Sequence, residues 1–312
     1  MLNRIVRRGT LRGMVRLVTL LGLYGCGRLD FAPTADGAAA LTACEAAWIA
    51  GPTLTAPVAM TAVNSAKEER TPTISSDGLT LYFASNRTGD YQLYAATRAA
   101  PDASFAAPTE LSALSSPQLD HQVHVSDDEL EAVVSSARLG GRGSSDLWHA
   151  TRASPGVPFG PLVELSELDF SGEDYNAVLS PDRRRIYFAT LDRPGTAGAT
   201  DVMTAQRATP AEPFGTPEVV AGIVTLEDEA SPSLTHSQRV MVFTAVRGGQ
   251  AKVWYATRAD AESPWGTPMQ VPGIASTKVD YTPFVRADGC ELVFSSLRVG
   301  NIEDLYVSRV EP

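Results

Sequence analysis

The sequence predicts an all-β protein built from five copies of a four-stranded sheet set in a ring, a five-bladed β-propeller. Two observations lead there. A short signature ending in arginine recurs at a nearly fixed period, and runs of β-branched and aromatic residues separated by turn residues recur with it. A third observation, a strand-like fragment ahead of the first copy and a strand missing from the last, predicts that the ring is closed.

The signature marks the third strand of each copy, strand C. It reads Leu93-Tyr94-Ala95-Ala96-Thr97-Arg98, then Leu147-Trp148-His149-Ala150-Thr151-Arg152, then Val202-Met203-Thr204-Ala205-Gln206-Arg207. Val253-Trp254-Tyr255-Ala256-Thr257-Arg258 and Leu305-Tyr306-Val307-Ser308-Arg309 follow. The closing arginines are 54, 55, 51 and 51 residues apart, and such a period is the mark of a repeat architecture.

Strand A is short and runs into a tight turn, as in Thr73-Ile74-Ser75-Ser76-Asp77-Gly78. Its counterparts turn at Asp128-Glu129, Pro181-Asp182-Arg183, Ser237-Gln238 and Asp288-Gly289. Strand B is apolar on both faces: Leu81-Tyr82-Phe83, Val133-Val134, Ile186-Tyr187-Phe188, Val240-Met241-Val242-Phe243 and Leu292-Val293-Phe294. A sheet covered on both sides needs that pattern, and a half-exposed sheet does not. Strand D is expected to carry an aromatic and a proline, as at Phe105 and Pro108, Phe159 and Pro161, Phe214 and Pro217, Trp265 and Pro268. Proline fits only where no ladder hydrogen bond is needed, so D is placed at the outer edge.

The last copy stops after strand C. Leu54-Thr55-Ala56-Pro57-Val58 repeats the strand D spacing and precedes the first strand A. It is expected to complete the last blade, so that the propeller spans residues 54–312. Closure leaves only short, protected sheet edges. Six blades, with residues 27–53 forming an irregular extra one, and an open solenoid are the alternatives. Residues 26–53, alanine-rich with few strand signals, read as a tether and short cap.

Residues 1–25 read as an export signal. Arg4, Arg7, Arg8, Arg12 and Arg16 precede an apolar stretch too short to span a bilayer as a helix. Its end, Leu23-Tyr24-Gly25-Cys26, resembles the lipobox of bacterial lipoproteins. That resemblance implies cleavage before Cys26, a lipid on its sulfur and acylation of the new terminus; the alternative is an ordinary signal peptide. By the same resemblance, Gly27 in place of aspartate leans towards the outer membrane, and the membrane is met through the lipid alone. Cleavage would leave 21 basic against 36 acidic residues, a net charge of −15. Such a surface repels phosphate backbones and argues against a nucleic-acid partner. Cys44 and Cys290 remain, either as a disulfide pinning the N-terminal segment to the last repeat or as two free thiols.

Ser75-Ser76-Asp77-Gly78-Leu79-Thr80-Leu81-Tyr82-Phe83-Ala84-Ser85-Asn86-Arg87, followed by Leu93-Tyr94, resembles the WD40-like (PD40) repeat of TolB-type propellers. Ser180-Pro181-Asp182 with Ile186-Tyr187-Phe188, and Ala287-Asp288-Gly289 with Phe294-Ser295-Ser296 and Arg298, match as well. The second and fourth copies are degenerate. The resemblance implies a propeller over residues 54–312 and leaves the activity open, because one fold hosts many functions.

Three columns of the repeat could carry chemistry. An acid precedes each strand A: Glu69, Asp120, Asp174, Glu229 and Asp280. Placed in the D-to-A loops, these would ring the mouth of the central channel. An arginine follows strand B, at Arg87, Arg138, Arg247 and Arg298, with Arg193 displaced by one. The two columns read as structural ion pairs, or alternatively as an acidic funnel for a cation or basic partner. Asp146, Asp201 and Asp304 precede strand C and are expected to pair with the strand B arginines. Tyr91, Tyr175 and Tyr281 fall on the acid face, where rings stack on sugars or anchor a protein. His121 and His124 have no ligand spacing. No nucleophile, dinucleotide or phosphate-loop motif occurs, so no catalytic residue, metal or cofactor is expected.

The reading that results is a monomeric, non-catalytic scaffold at the cell envelope. One face of the propeller would hold a protein or an envelope polymer. The alternative is a propeller-fold glycoside hydrolase or lyase.

Overall fold

A computed structural model describes residues 40–312; the stretch read as an export signal, Cys26 and the first part of the expected tether lie outside them. The described residues form five antiparallel sheets and one helix. Blade 1 has strand A at Glu69–Ile74, B at Thr80–Ser85, C at Gln92–Thr97 and D at Thr109–Glu110. Blade 2 has Asp120–Val125, Glu131–Ser136, Asp146–Thr151 and Val163–Glu164. Blade 3 has Glu173–Leu179, Arg185–Leu191, Thr200–Gln206 and Glu218–Val219. Blade 4 has Glu229–Leu234, Val240–Arg247, Gln250–Thr257 and Met269–Gln270. Blade 5 has Asp280–Val285, Glu291–Ser296 and Asp304–Glu311 as A, B and C.

The last blade is finished by the beginning of the chain. Val58–Ala59 pairs with Val307 and Tyr306, the register that strand D takes in the other blades. Thr53–Leu54 adds a second short pairing, to Glu311 and Val310. Five blades with this closure account for every described strand, so neither six blades nor an open array remains.

Strand B is buried on both faces as its composition requires. Leu81, Phe83, Ile186, Phe188, Val240, Val242, Phe243, Leu292 and Phe294 are fully buried. They pack blade against blade in clusters that span neighbouring sheets.

Strand D differs from expectation. It is two residues long and starts after the proline, so the aromatic lies in the C-to-D loop. There it meets the signature arginine: Arg98 covers Phe105 at 4.4 Å, Arg152 Phe159 at 4.5 Å, Arg207 Phe214 at 4.3 Å and Arg258 Trp265 at 4.2 Å. Each contact contributes roughly 0.5–2 kcal/mol, more where desolvated. The repeated pairing of arginine and aromatic in the sequence is thus a stacking contact that folds each C-to-D loop back onto its blade.

Two of these arginines also join blades through ion pairs. Arg98 grips Glu291 of blade 5 with bonds of 3.1 and 2.6 Å, and Arg207 reaches Glu131 of blade 2 at 2.7 Å. The A-to-B turns need a left-handed residue, supplied by Gly78 and Gly289 but by Glu129, Arg183 and Gln238 in the other blades. In blade 1, Asp77 Oδ1 accepts from Ser75 Oγ and Leu79 N and holds that turn.

Helix α1 (Ala43–Ala50) was not foreseen within the tether. Thr42 and Glu45 form a reciprocal N-terminal cap, and Thr42 Oγ1 also donates to Asp288 O at 2.6 Å. Trp48 is fully buried, donates to Gly289 O at 2.9 Å and meets Tyr255 edge-on. Cys44 and Cys290 are joined in a disulfide, Cα atoms 5.1 Å apart. The helix is thereby fixed over the A-to-B turns of blades 4 and 5.

Candidate functional site

The five column acids lie inside strand A as its first residues (second in blade 3), not in the D-to-A loops. Their side chains are 0–1 % exposed, so they do not line an open mouth. Each is met by the arginine after strand B of its own blade. Arg87 reaches Glu69 at 3.0 Å, Arg138 Asp120 at 3.0 Å, Arg193 Asp174 at 2.9 Å, Arg247 Glu229 at 2.5 Å and Arg298 Asp280 at 2.8 Å.

The same guanidiniums donate to loop carbonyls at Val63, Leu114, Leu168 and Ile274 and lie over aromatic rings such as Tyr94, Trp148 and Tyr306. Ser136 Oγ and Ser116 N complete the shell around Asp120. Burial still pushes the Asp120 and Asp174 carboxyls up, outweighing the opposing pull of these donors and of arginine. The arrangement is a clasp tying strand A, strand B and the preceding loop in every blade. Asp146, Asp201 and Asp304 do not share it, contrary to expectation. Asp146 accepts from Gly143 N at 2.9 Å and Asp201 from Ala197 N and Gly198 N, because the arginines are already engaged.

Chemistry at the channel comes instead from the next two residues of strand A. In all five blades the register of strand A shifts there, and in four of them a residue takes positive φ: Thr71, Asn176, Ser231 and Thr282. Their side chains bridge blades in the centre of the ring. Thr71 N donates to Thr282 Oγ1 at 3.2 Å, Thr71 Oγ1 to His121 O, and Asn176 Nδ2 to Ser231 Oγ at 2.7 Å. Gln122 Oε1 and Asn176 Oδ1 are buried without a protein donor, which leaves this polar collar two acceptors to offer.

Outside the collar stand Arg70, His121, Tyr175, Ala230 and Tyr281, one from each blade and all half-buried. Unlike the acids, this column is different in every blade but two. Arg70 lies over Tyr91 at 3.4 Å, and Tyr91 donates its hydroxyl to Glu68. Ser295 donates to Glu303, and Thr282 Oγ1 lies 2.8 Å from Ser295 Oγ, so Glu303 is wired to the collar. Burial raises the Glu303 carboxyl, with Ser295 and Arg70 pulling against it. Burial, with the Arg70 charge, lowers His121 to about 4 and leaves it neutral near pH 7. Tyr281 is raised by burial and by Glu303. Rings, one guanidinium and hydrogen-bonded carboxylates thus share one entrance.

At the other end the channel is filled by Ile74, His124, Val178, Leu234 and Phe284, leaving a void of about 20 Å³. That is room for about one water molecule. Burial lowers His124 to about 4, so an uncharged ring sits in the plug. A separate cleft of about 340 Å³ opens at the closure seam, between Met60, Val307 and Phe105, with the Arg98–Glu291 pair among its walls. The tyrosines were legible from their place on the face of the acids; His121 read only as a surface residue, and Arg70, Glu68 and Glu303 gave no signal, because nothing in sequence sets them apart from surface charges.

No protein-family model and no curated protein matches this sequence. Solved structures are similar in fold. TolB from Acinetobacter baumannii has a TM-score of 0.52 at 12 % identity, over 80 % of this chain and 55 % of that one. This chain therefore spans about half the length of that TolB. A thermostable family-43 glycoside hydrolase has a TM-score of 0.54 at 11 % identity, over 80 % and 90 % of the two chains. The endo-arabinase from Bacteroides thetaiotaomicron has 0.54 at 15 %, over 83 % and 98 %. The chain is thus a five-bladed propeller whose likeness extends to TolB and to carbohydrate-active enzymes alike, and the likeness is one of fold.

Proposed function

We propose that this protein is a non-catalytic binding propeller of the cell envelope, held to the membrane by a lipid on Cys26. The entrance formed by Arg70, Tyr91, His121, Tyr175 and Tyr281 takes the partner, a protein or an envelope polymer. The observation that carries the reading is the state of the five column acids. All are buried and neutralised by arginine, so none reaches a ligand as acid or base. Glycoside hydrolysis needs two carboxylates flanking one bond at a set separation. Stacking rings and a guanidinium serve recognition without it.

One feature favours the enzyme reading. Glu303, raised by burial at the entrance, has the character of a general acid. Incubating the protein with arabinan, xylan and peptidoglycan separates the two. No release of reducing ends or soluble fragments is expected; release that Glu303→Gln abolishes would replace the binding reading by a hydrolase or lyase. For binding itself, the Arg70→Ala/Tyr281→Ala variant is expected to lose at least about tenfold in affinity for the oligosaccharide or envelope protein retained by the wild type. Equal retention by both would remove the entrance from the account. Cys26→Ser is expected to move the protein from the membrane to the soluble envelope fraction.

A further inference from the structure

Away from the channel, blade 2 gathers three carboxylates without a countercharge. Asp146 opens strand C, Glu164 ends strand D and Asp169 stands in the loop that follows, with one oxygen of each within 4.8 Å of the others. Asp146 is 1 % exposed. Both oxygens of Asp169 and Oε1 of Glu164 are shut off from water and receive no hydrogen bond. The neighbouring arginines, Arg138 and Arg193, are engaged by Asp120 and Asp174. Native proteins rarely leave buried polar atoms in this state.

The other blades offer a comparison. The position of Asp146 is held by Lys252 in blade 4 and by Gln92 in blade 1. Lys252 Nζ donates to the carbonyls of Ser276, at 2.7 Å, and of Lys278, and lies 3.5 Å from Asp280. Gln92 Nε2 donates to the carbonyl of Gln118 at 3.3 Å. In those blades a cation or an N–H donor faces the oxygens of the D-to-A loop. Blades 3 and 5 also hold an aspartate there, Asp201 and Asp304, but among the described residues only blade 2 brings two further carboxylates within reach of it, so its oxygens lack the positive charge that blade 4 carries covalently.

The backbone is shaped around the group. Gly143 N donates to Asp146 Oδ1 at 2.9 Å. A Cβ on Gly141 would come within 1.8 Å of Asp146 Oδ2, and one on Gly143 within 1.9 Å of Gly172 O. The glycine-rich B-to-C loop therefore closes over Asp146 at a distance no other residue allows.

We propose that Asp146, Glu164 and Asp169 bind a divalent cation of the calcium type. Calcium takes oxygen ligands at about 2.3–2.6 Å in flexible geometry, so oxygens around one ion lie up to about 5 Å apart. Magnesium asks for shorter bonds, rigid octahedral order and retained water, which suits this unevenly spaced set less well. The ion would tie strands C and D of blade 2 to the loop leading into blade 3. The competing account is a proton shared by Asp169 and Glu164.

The test is calcium titration of the full chain, stripped with chelator, followed by calorimetry and by thermal unfolding. One site is expected, with a Kd of about 10⁻⁴ M, and a Tm rise of about 5 °C at saturation. Asp169→Asn and Glu164→Gln are each expected to weaken binding at least about tenfold. Asp201→Asn, the same station in blade 3, should leave it unchanged. A wild type without calcium-dependent heat or Tm shift overturns the proposal in favour of the shared proton. So does calcium binding of wild-type strength in both variants, which would put the ion elsewhere. The wild-type measurement stands even where a variant fails to fold.

Discussion

Glu291 shows how much one side chain carries in this ring. It is 2 % exposed, holds Arg98 of blade 1 with two bonds and accepts from Arg286 at 2.9 Å. Replacing it with alanine leaves the buried Arg98 guanidinium without a carboxylate opposite, while Arg286 keeps Asp288. Breaking a buried pair from one side costs about 3–5 kcal/mol, so Glu291→Ala is expected to lower denaturant stability by that order. The column clasps answer to the same physics: Arg138→Ala strands Asp120, and a comparable loss is expected in urea unfolding. His124 sets a pH dependence. Its folded value of about 4 lies below the ordinary 6.5, so acid favours the unfolded chain, where the ring protonates first. Its contribution is complete above about pH 6.5 and drains away as the pH falls towards 4, on the order of 3 kcal/mol in all. His124→Leu is expected to flatten that part of the stability–pH curve; an unchanged slope would mean the titrating group is another.

Elements explain what could be read from sequence and what could not. Strands B and C were legible because burial on both faces forces unbroken apolar runs such as Val240-Met241-Val242-Phe243. Strand D was misplaced because the proline beside it is a loop residue, and two residues carry no pattern. The column acids read as partners of the strand B arginines but were put in the D-to-A loops at the channel mouth; the arginine eighteen or nineteen positions on, brought alongside by the hairpin, is what lets them be buried inside strand A. The carboxylates of blade 2 come from three separate segments and match no ligand spacing, so no motif could announce them. The A-to-B turn offers a test at this scale. Gln238 occupies a left-handed position, φ 57°, that glycine fills in blades 1 and 5. Gln238→Gly is expected to raise stability by about 0.5–1 kcal/mol, since its backbone carbonyl still accepts from Arg258.

At the scale of the whole molecule, the disulfide spans 246 residues of sequence. Chain-entropy arguments give such a cross-link up to about 5 kcal/mol, acting through the unfolded state. Cys290→Ser, or reduction, is expected to lower Tm in a melt while leaving the blades formed in far-ultraviolet dichroism at low temperature. Blade 5 has a further property. A chain made from its amino end exposes Val58 long before Val307, its ladder partner, has been synthesised. Four sheets find all their strands in local order, while the fifth waits for the final turn of the ring. Until then the outer edge of Asp304–Glu311 is an open template, to which a foreign strand could add in place of Val58–Ala59. Assembly is therefore most vulnerable at its last step, and a chaperone serving this protein has one edge to guard.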